Sequence, residues 1–268
     1  MVNKNGMSIM KKSFAVLAFF VLVTFCSCTK PSGVLVTKEF VIEGYSSLSV
    51  EDSFEVTVSD EVNKILVTTD DNIMPKVVVK IENNVLKIYL NSMVLSSRKH
   101  LEVVMPYKPD LKSVELSGAS TFRSNYALTN QKVTVELSGS SEFYGDIESS
   151  DVKIDLSTAS KMVGNVTASD LELDLSTASN ATLTGFVTSL KLDLSGTSNL
   201  KKKIEGSRYA LSCDKCRGEM SGASNAFIHC DNSIRVSLSG TSDLHYTGYA
   251  ATTGSSTYGG SNIIHDVL

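Results

Sequence analysis

Six carboxylates in this chain hold one fixed position relative to a repeated pentapeptide, and rows of carboxylates can hold hard cations. Glu115, Glu136, Asp155, Asp174, Asp193 and Glu219 each stand directly before the first residue of the repeat. If the copies stack in register, these side chains form a column on one outer face. Like charges about 5 Å apart repel by roughly 3 kcal/mol per pair at an effective dielectric of 20, and by less in water. The expected compensation is a neighbouring column containing Lys153, Lys191, Arg217 and Arg235, helped by solvent screening. The alternative is Ca²⁺, which takes oxygen ligands. A calcium titration that left the melting temperature unchanged would remove that alternative.

The thiols are the second group with possible chemistry. Cys213-Asp-Lys-Cys216 followed by His229-Cys230 superficially matches a zinc-binding spacing. One repeat is about as long as the step from Cys213 to Cys230, which would put the two on adjacent coils within disulfide reach. In an oxidising compartment a Cys213–Cys230 disulfide, or plain buried thiols, is expected ahead of zinc. No metal site is therefore assigned. A thioredoxin-like role lacks the βαβ context it needs.

No catalytic residues are assigned. Ser96-Ser-Arg-Lys99 fits an S-x-x-K pattern without the accompanying helix and partner motifs. His100, His229, His245 and His265 show no paired metal spacing. The many Ser and Thr residues read as turn formers and stacking ladders, because no base is placed beside any of them.

The elements that would position these residues follow from the repeat. It occurs at Leu116–Ser120, Leu137–Ser141, Leu156–Ser160, Leu175–Ser179, Leu194–Ser198, Met220–Ser224 and Leu238–Ser242. The steps are 21, 19, 19, 19, 26 and 18 residues, so the 26-residue step carries an insertion, placed around Lys201 to Cys216. Before each motif the residues alternate: Val152, Ile154 and Leu156 are apolar, and Lys153 and Asp155 between them are charged. That period of two describes a strand with one face in a core and one in water. The Ser-Gly/Thr-x-Ser tetrad then turns the chain, since Gly tolerates positive φ and Ser hydroxyls bond nearby backbone.

A unit of about 19 residues suits a solenoid coil of two or three short strands. An antiparallel meander would also bring successive motifs to one end of a sheet, and periodicity alone leaves it open. Residues 36–112 lack the motif but are β-patterned, with Phe54–Val58, Ile65–Thr69, Val77–Ile81, Val85–Leu90 and Leu101–Met105 as strands. They form a cap or the first coils, because open solenoid ends need covering. Residues 113–268 carry the repeats, ending in a degenerate turn at Gly254–Ser261 and a closing strand.

Residues 1–27 are expected to be a signal peptide. Lys4, Lys11 and Lys12 precede an apolar run from Phe14 to Phe25, too short to serve as a mature transmembrane helix. Ser27 before Cys28 fits a lipobox, so Cys28 is the expected lipid-attachment site and residues 28–35 a tether to the membrane. The tether lacks an acidic run of the surface-export type, which favours the periplasmic face of the outer membrane over the cell surface. Losing the leader deepens the net charge from −4 to −7. That balance argues against nucleic acid as a partner.

The β-rich N-terminal half, the tandem ELSGAS, DLSTAS and DLSGTS segments, and the terminal YTGYA and TTGSSTYGGSNIIH segments together resemble the "putative auto-transporter adhesin, head GIN domain" family. The resemblance spans about residues 36–262. Members are common in Bacteroidetes and are often lipoproteins, and the relaxed lipobox is similar to those of that phylum. The resemblance implies an all-β, right-handed parallel β-helix-like solenoid. It carries no catalytic residues and says little about activity.

The expected function is a non-enzymatic cell-envelope lipoprotein, a scaffold or adhesin-like module for a glycan or an envelope protein. A carbohydrate-active β-helix enzyme and a purely structural or regulatory lipoprotein are the alternatives. The enzyme would require clustered acids about 5–9 Å apart in a cleft. The acids here form a regular column instead, and the chain has no Trp to offer as a sugar platform.

Overall fold

The computed structural model describes residues 30–92, 100–201 and 211–266. The expected signal peptide, Cys28 and the Ser96–Lys99 run lie outside these residues, as does most of the expected insertion.

The alternating segments become strands with one buried face. Val133, Val135 and Leu137 are buried while Glu136 between them is exposed. The N-terminal strands are β1 (Leu35–Phe40), β2 (Ser47–Val50), β3 (Glu55–Ser59), β4 (Ile65–Asp70), β5 (Val77–Glu82), β6 (Val85–Leu90) and β7 (Leu101–Pro106). The repeats then supply β8 (Ser113–Leu116), β9 (Thr121–Arg123), β10 (Leu128–Leu137), β11 (Glu142–Tyr144), β12 (Ile147–Leu156), β13 (Lys161–Leu175) and β14 (Asn180–Thr184). The series ends with β15 (Phe186–Leu194), β16 (Asn199–Leu200), β17 (Ser212–Met220), β18 (Asn225–Leu238), β19 (Asp243–Thr247), β20 (Ser256–Thr257) and β21 (Asn262–His265).

From β8 onward every strand pairs in parallel with its counterpart one coil away, as β10 does with β12 and β12 with β13. The parallel ladders remove the antiparallel meander and give a β-solenoid of about eight turns. Each coil holds three strand segments. Glu142–Tyr144 is one, Ile147–Ser149 the next, and Asp151–Leu156 the third, which leads into the following motif.

The motif turns sharply because two of its residues take the left-handed region in the first four copies, and its Gly alone does so in the last three. The pairs include Gly118 and Ala119 in the first copy and Thr158 and Ala159 in the third. The last Ser of each motif points inward. Ser120, Ser141, Ser160, Ser179, Ser198, Ser224 and Ser242 are all fully buried. Several bond back across the turn, as Ser160 Oγ donates to the Ser157 carbonyl at 2.7 Å. Beside this serine row, Leu137, Leu156, Leu175, Leu194, Met220 and Leu238 stack in an apolar row. Burial of each such side chain stabilises by about 1.5–3 kcal/mol, and only stacking provides it.

The N-terminal region supplies both coils and a cap. β2 and β3 stack in parallel on β8 and β9, with Asp52 and Ser53 at positive φ replacing the motif turn. β6 and β7 stack on the opposite side of β2 and β3. The coil formed by β2 and β3 therefore sits between two coils made later in the chain. Beyond β6 and β7 the pairing becomes antiparallel, with β5 against β6, β4 against β7 and β1 against β4. These strands close that end of the solenoid.

The insertion is narrower than the sequence suggests. Ser212 and Cys213 pair with Phe186 and Val187, and Cys216 pairs with Leu190. The cysteines thus belong to the ladder, and the extra residues fall between Leu200 and Ser212. Once the strand alternation resumes, register is fixed by which face is buried.

Candidate functional site

The charged side of the solenoid is built by β8, β10, β12, β13, β15, β17 and β18. Their regular register turns sequence spacing into columns. Glu115, Glu136, Asp155, Asp174, Asp193 and Glu219 are successive partners across the ladders, so the structure assembles the full acidic column. Thr134, Lys153, Glu172, Lys191, Arg217 and Arg235 form the next column. Neighbours within a column are about 4.8 Å apart along the axis.

The expected neutralisation falls to one residue. Lys191 Nζ lies 2.9 Å from Glu172 Oε1 and 3.1 Å from Asp193 Oδ2. These contacts hold the Glu172 carboxyl below the usual carboxylate range and raise the Lys191 ammonium above its ordinary value. Asp174 goes the other way. Partial burial and the neighbouring Asp155 and Asp193 charges push its carboxyl up. Lys153, Arg217 and Arg235 make no ion pair among the described residues.

Gly218 interrupts the row of inward side chains between Leu192 and Val236. Its φ is +147°, and a Cβ there would collide with the Leu192 carbonyl oxygen. Next to it the Glu219 backbone N–H donates to Asp193 Oδ1 at 3.0 Å. A groove of about 550 Å³ opens here, lined by Asp174, Lys191, Asp193, Arg217, Gly218 and Glu219 among others. Two smaller hollows of about 290 and 300 Å³ adjoin it, and Arg217 lines all three.

Among the described residues no group of three or more His, Cys, Asp or Glu side chains is arranged to hold a metal ion. The acidic column strings its carboxylates along the axis instead of converging them on a point.

Cys213 and Cys230 are register partners on adjacent coils, as their spacing implied. Both are buried free thiols, as is Cys216. A hydrogen bond to Cys230 and burial raise Cys213, and burial raises Cys216. Cys230 Sγ also lies 3.4 Å from the Asp214 carbonyl. The histidines serve in packing and polar contacts: His245 stacks on Phe227 with centroids 4.6 Å apart, and His265 stacks on Tyr246 at 4.7 Å.

One ladder escaped the sequence reading. Asn180, Asn199 and Asn225 are successive partners on a second face, and each amide bonds the next at 3.2 Å. The signal was the Asn that directly follows the final Ser in three copies.

A family model described as "Putative auto-transporter adhesin, head GIN domain" matches residues 44–250. The chain belongs to this family. Solved structures with the same fold include a "putative adhesin" from Parabacteroides merdae, with a TM-score of 0.74 and 17% identity over 89% of this chain and 99% of that one. A "putative lipid binding protein" from Parabacteroides distasonis gives a TM-score of 0.76 and 17% identity over 88% and 98% of the two chains. A "putative adhesin" from Bacteroides fragilis gives 0.59 and 18% over 88% and 99%. At these identities the structures speak to the fold of the adhesin-family chain alone. No match is found among curated proteins.

Proposed function

We propose that this adhesin-family protein is a non-enzymatic binding module of the cell envelope. A lipid on Cys28 holds it to the outer membrane, with the solenoid facing the periplasm. Its membership of an adhesin-like family is consistent with an envelope or surface position. The observation that supports a binding role is the regular charged side. Acidic and mixed-charge columns run in register across six coils, beside grooves whose lining is mainly polar and charged. A solenoid holds such columns rigidly, because each coil is fixed by its neighbours. A stiff, repeating pattern matches a repeating polymer or an extended partner surface.

Two measurements test the reading together. Protease added to intact cells should leave the protein whole, and permeabilised cells should lose it. Mature protein on a column should retain a component of the native envelope. Cleavage on intact cells would overturn the periplasmic placement. Failure to retain any envelope component would overturn the binding role.

A further inference from the structure

The hollow of about 300 Å³ over β15, β17 and β18 differs from the rest of the charged side. Its lining is Ser189, Lys215, Cys216, Arg217, Ser233 and Arg235. Three cations meet there and no carboxylate does. We propose that this hollow binds an oxyanion group, a carboxylate or sulfate, carried on an acidic polysaccharide. The inference rests on the binding-module reading above.

The placement follows from the ladder. Arg217 and Arg235 are direct register partners, and Lys215 is the partner of Ser233, two residues before Arg235. Lys215 and Arg217 leave the same face of one strand, and Arg235 joins them from the next coil. Like charges opposed across a ladder are destabilising. Elsewhere on this side the arrangement relieves such repulsion, as Lys191 does with Glu172 and Asp193. Lys215, Arg217 and Arg235 have no ion pair among the described residues.

The surroundings keep the charge available. Arg235 is flanked on its own strand by Ser233 and Ser237, so the acidic column has already ended at that coil. In the last coil Gly254 faces Arg235, where a Cβ would only touch the Arg235 Cγ at 4.0 Å. Lys215 has Ser189 and Ser233 as its register neighbours. The nearest acids of the column, Asp193 and Glu219, line the adjoining groove, which shares Arg217 with the hollow but neither Lys215 nor Arg235. Asp193 is engaged by Lys191 and by the Glu219 N–H.

The chemistry suits a planar or tetrahedral oxyanion. Two guanidinium groups can each present paired N–H donors to carboxylate or sulfate oxygens. The Ser189 and Ser233 hydroxyls, which both donate and accept, match the neutral hydroxyls of a sugar ring. The adjacent groove, which Arg217 also lines, adds Ser195 and Ser221 hydroxyls and the Asp193 and Glu219 carboxylates to that polar surface. A polymer with one charged group beside several hydroxyls fits this order better than a densely anionic surface, which the acidic column would repel.

The test uses the mature protein and three immobilised polymers: polygalacturonate, dextran sulfate and neutral dextran. Anionic phospholipid vesicles serve as a fourth surface. Polygalacturonate or dextran sulfate should bind, and the stronger of the two identifies the oxyanion. Neutral dextran should not bind. R217Q and R235Q should each weaken binding about tenfold or more, the scale of a lost charge-assisted hydrogen bond. K38Q on β1, away from the hollow, should bind as the parent does. Circular dichroism and melting temperature establish that the variants fold.

Absence of polyanion binding, or unchanged binding by R217Q and R235Q, would overturn the hollow. Vesicle binding above polysaccharide binding would overturn the glycan as its ligand. The envelope pulldown separates the two levels. If the R217Q/R235Q double variant still retains its envelope component, the hollow is rejected and the binding module stands. If the parent retains nothing, both fall.

Discussion

Lys191 and Glu172 face each other on adjacent coils, and their side chains meet at 2.9 Å, Nζ to Oε1. Lys191 also reaches Asp193 on its own strand at 3.1 Å. Among the described residues it is the one cation paired with both columns. Both partners of the first pair are more than a third exposed, so solvent screens the interaction. Lys191→Met should cost less than about 1 kcal/mol of stability, read as a shift in urea midpoint. The loss should be larger at low salt than at high salt. An unchanged midpoint at low salt would mean that this ion pair carries no stability.

Asp174 should show the opposite sign. Its carboxyl is raised by burial and by Asp155 and Asp193, so the folded state holds its proton more tightly than the unfolded state does. Ionising it therefore costs stability as pH rises from the ordinary aspartate range through the raised folded value. Glu172, held down by Lys191, contributes stability that is present at neutral pH and lost as pH falls through its lowered range. Asp174→Asn should stabilise the protein at neutral pH by about 0.5 kcal/mol, the scale of a like-charge pair across a ladder. Near about pH 3 the parent carboxyl is protonated in both states and the gain should vanish. Urea titrations at the two pH values measure it.

The buried serines should not be equivalent. Ser160 Oγ donates to the Ser157 carbonyl, whereas Ser198 Oγ is buried without a partner. Ser160→Ala should cost about 1 kcal/mol, and Ser198→Ala should be neutral or stabilising by up to about 1 kcal/mol. Equal losses in denaturant melts would mean that the hydroxyls act only through the space they fill.

The thiols supply a chemical test of register. Cys213 and Cys230 occupy opposed positions, and strand neighbours lie within the separation a disulfide spans. Prolonged incubation with a disulfide donor, long enough for local opening to expose the buried thiols, should give an intramolecular Cys213–Cys230 link two hydrogens lighter, with Cys216 left as a thiol. Peptide mapping reads the outcome, and a link through Cys216 would contradict the ladder. Without oxidant, the buried thiols should react with a thiol reagent only slowly until the protein unfolds.

The strand pattern, the repeat corner and the acidic column were legible in the sequence because each is a local alternation repeated at near-constant steps. Glu136 opposite Asp155 follows from a 19-residue spacing and nothing else. The position of β6 and β7 beyond β2 and β3 was not legible. It depends on pairings such as Leu48 with Leu86, which no motif marks. The inward turn of the final Ser was also hidden, since a polar residue in an apolar column breaks the alternation. The basic hollow escaped for a different reason. Lys153, Lys191, Arg217 and Arg235 were visible as a column, but only side-chain geometry separates the paired Lys191 from its free neighbours.

The out-of-order stacking of β2 and β3 has a mechanical meaning. A pull on the N-terminus first loads the hydrogen bonds of Lys30, Ser32 and Gly33 with Asp70–Asn72, then β1, which among the described residues pairs on one edge, with β4. If β1 peels away, the load reaches β2, which is gripped by β6 on one side and β8 on the other. Unravelling cannot proceed coil by coil from there, because the next segment in the chain is already wedged within the stack. The molecule resists tension at its N-terminus as a line does when a stopper has been threaded behind a cleat.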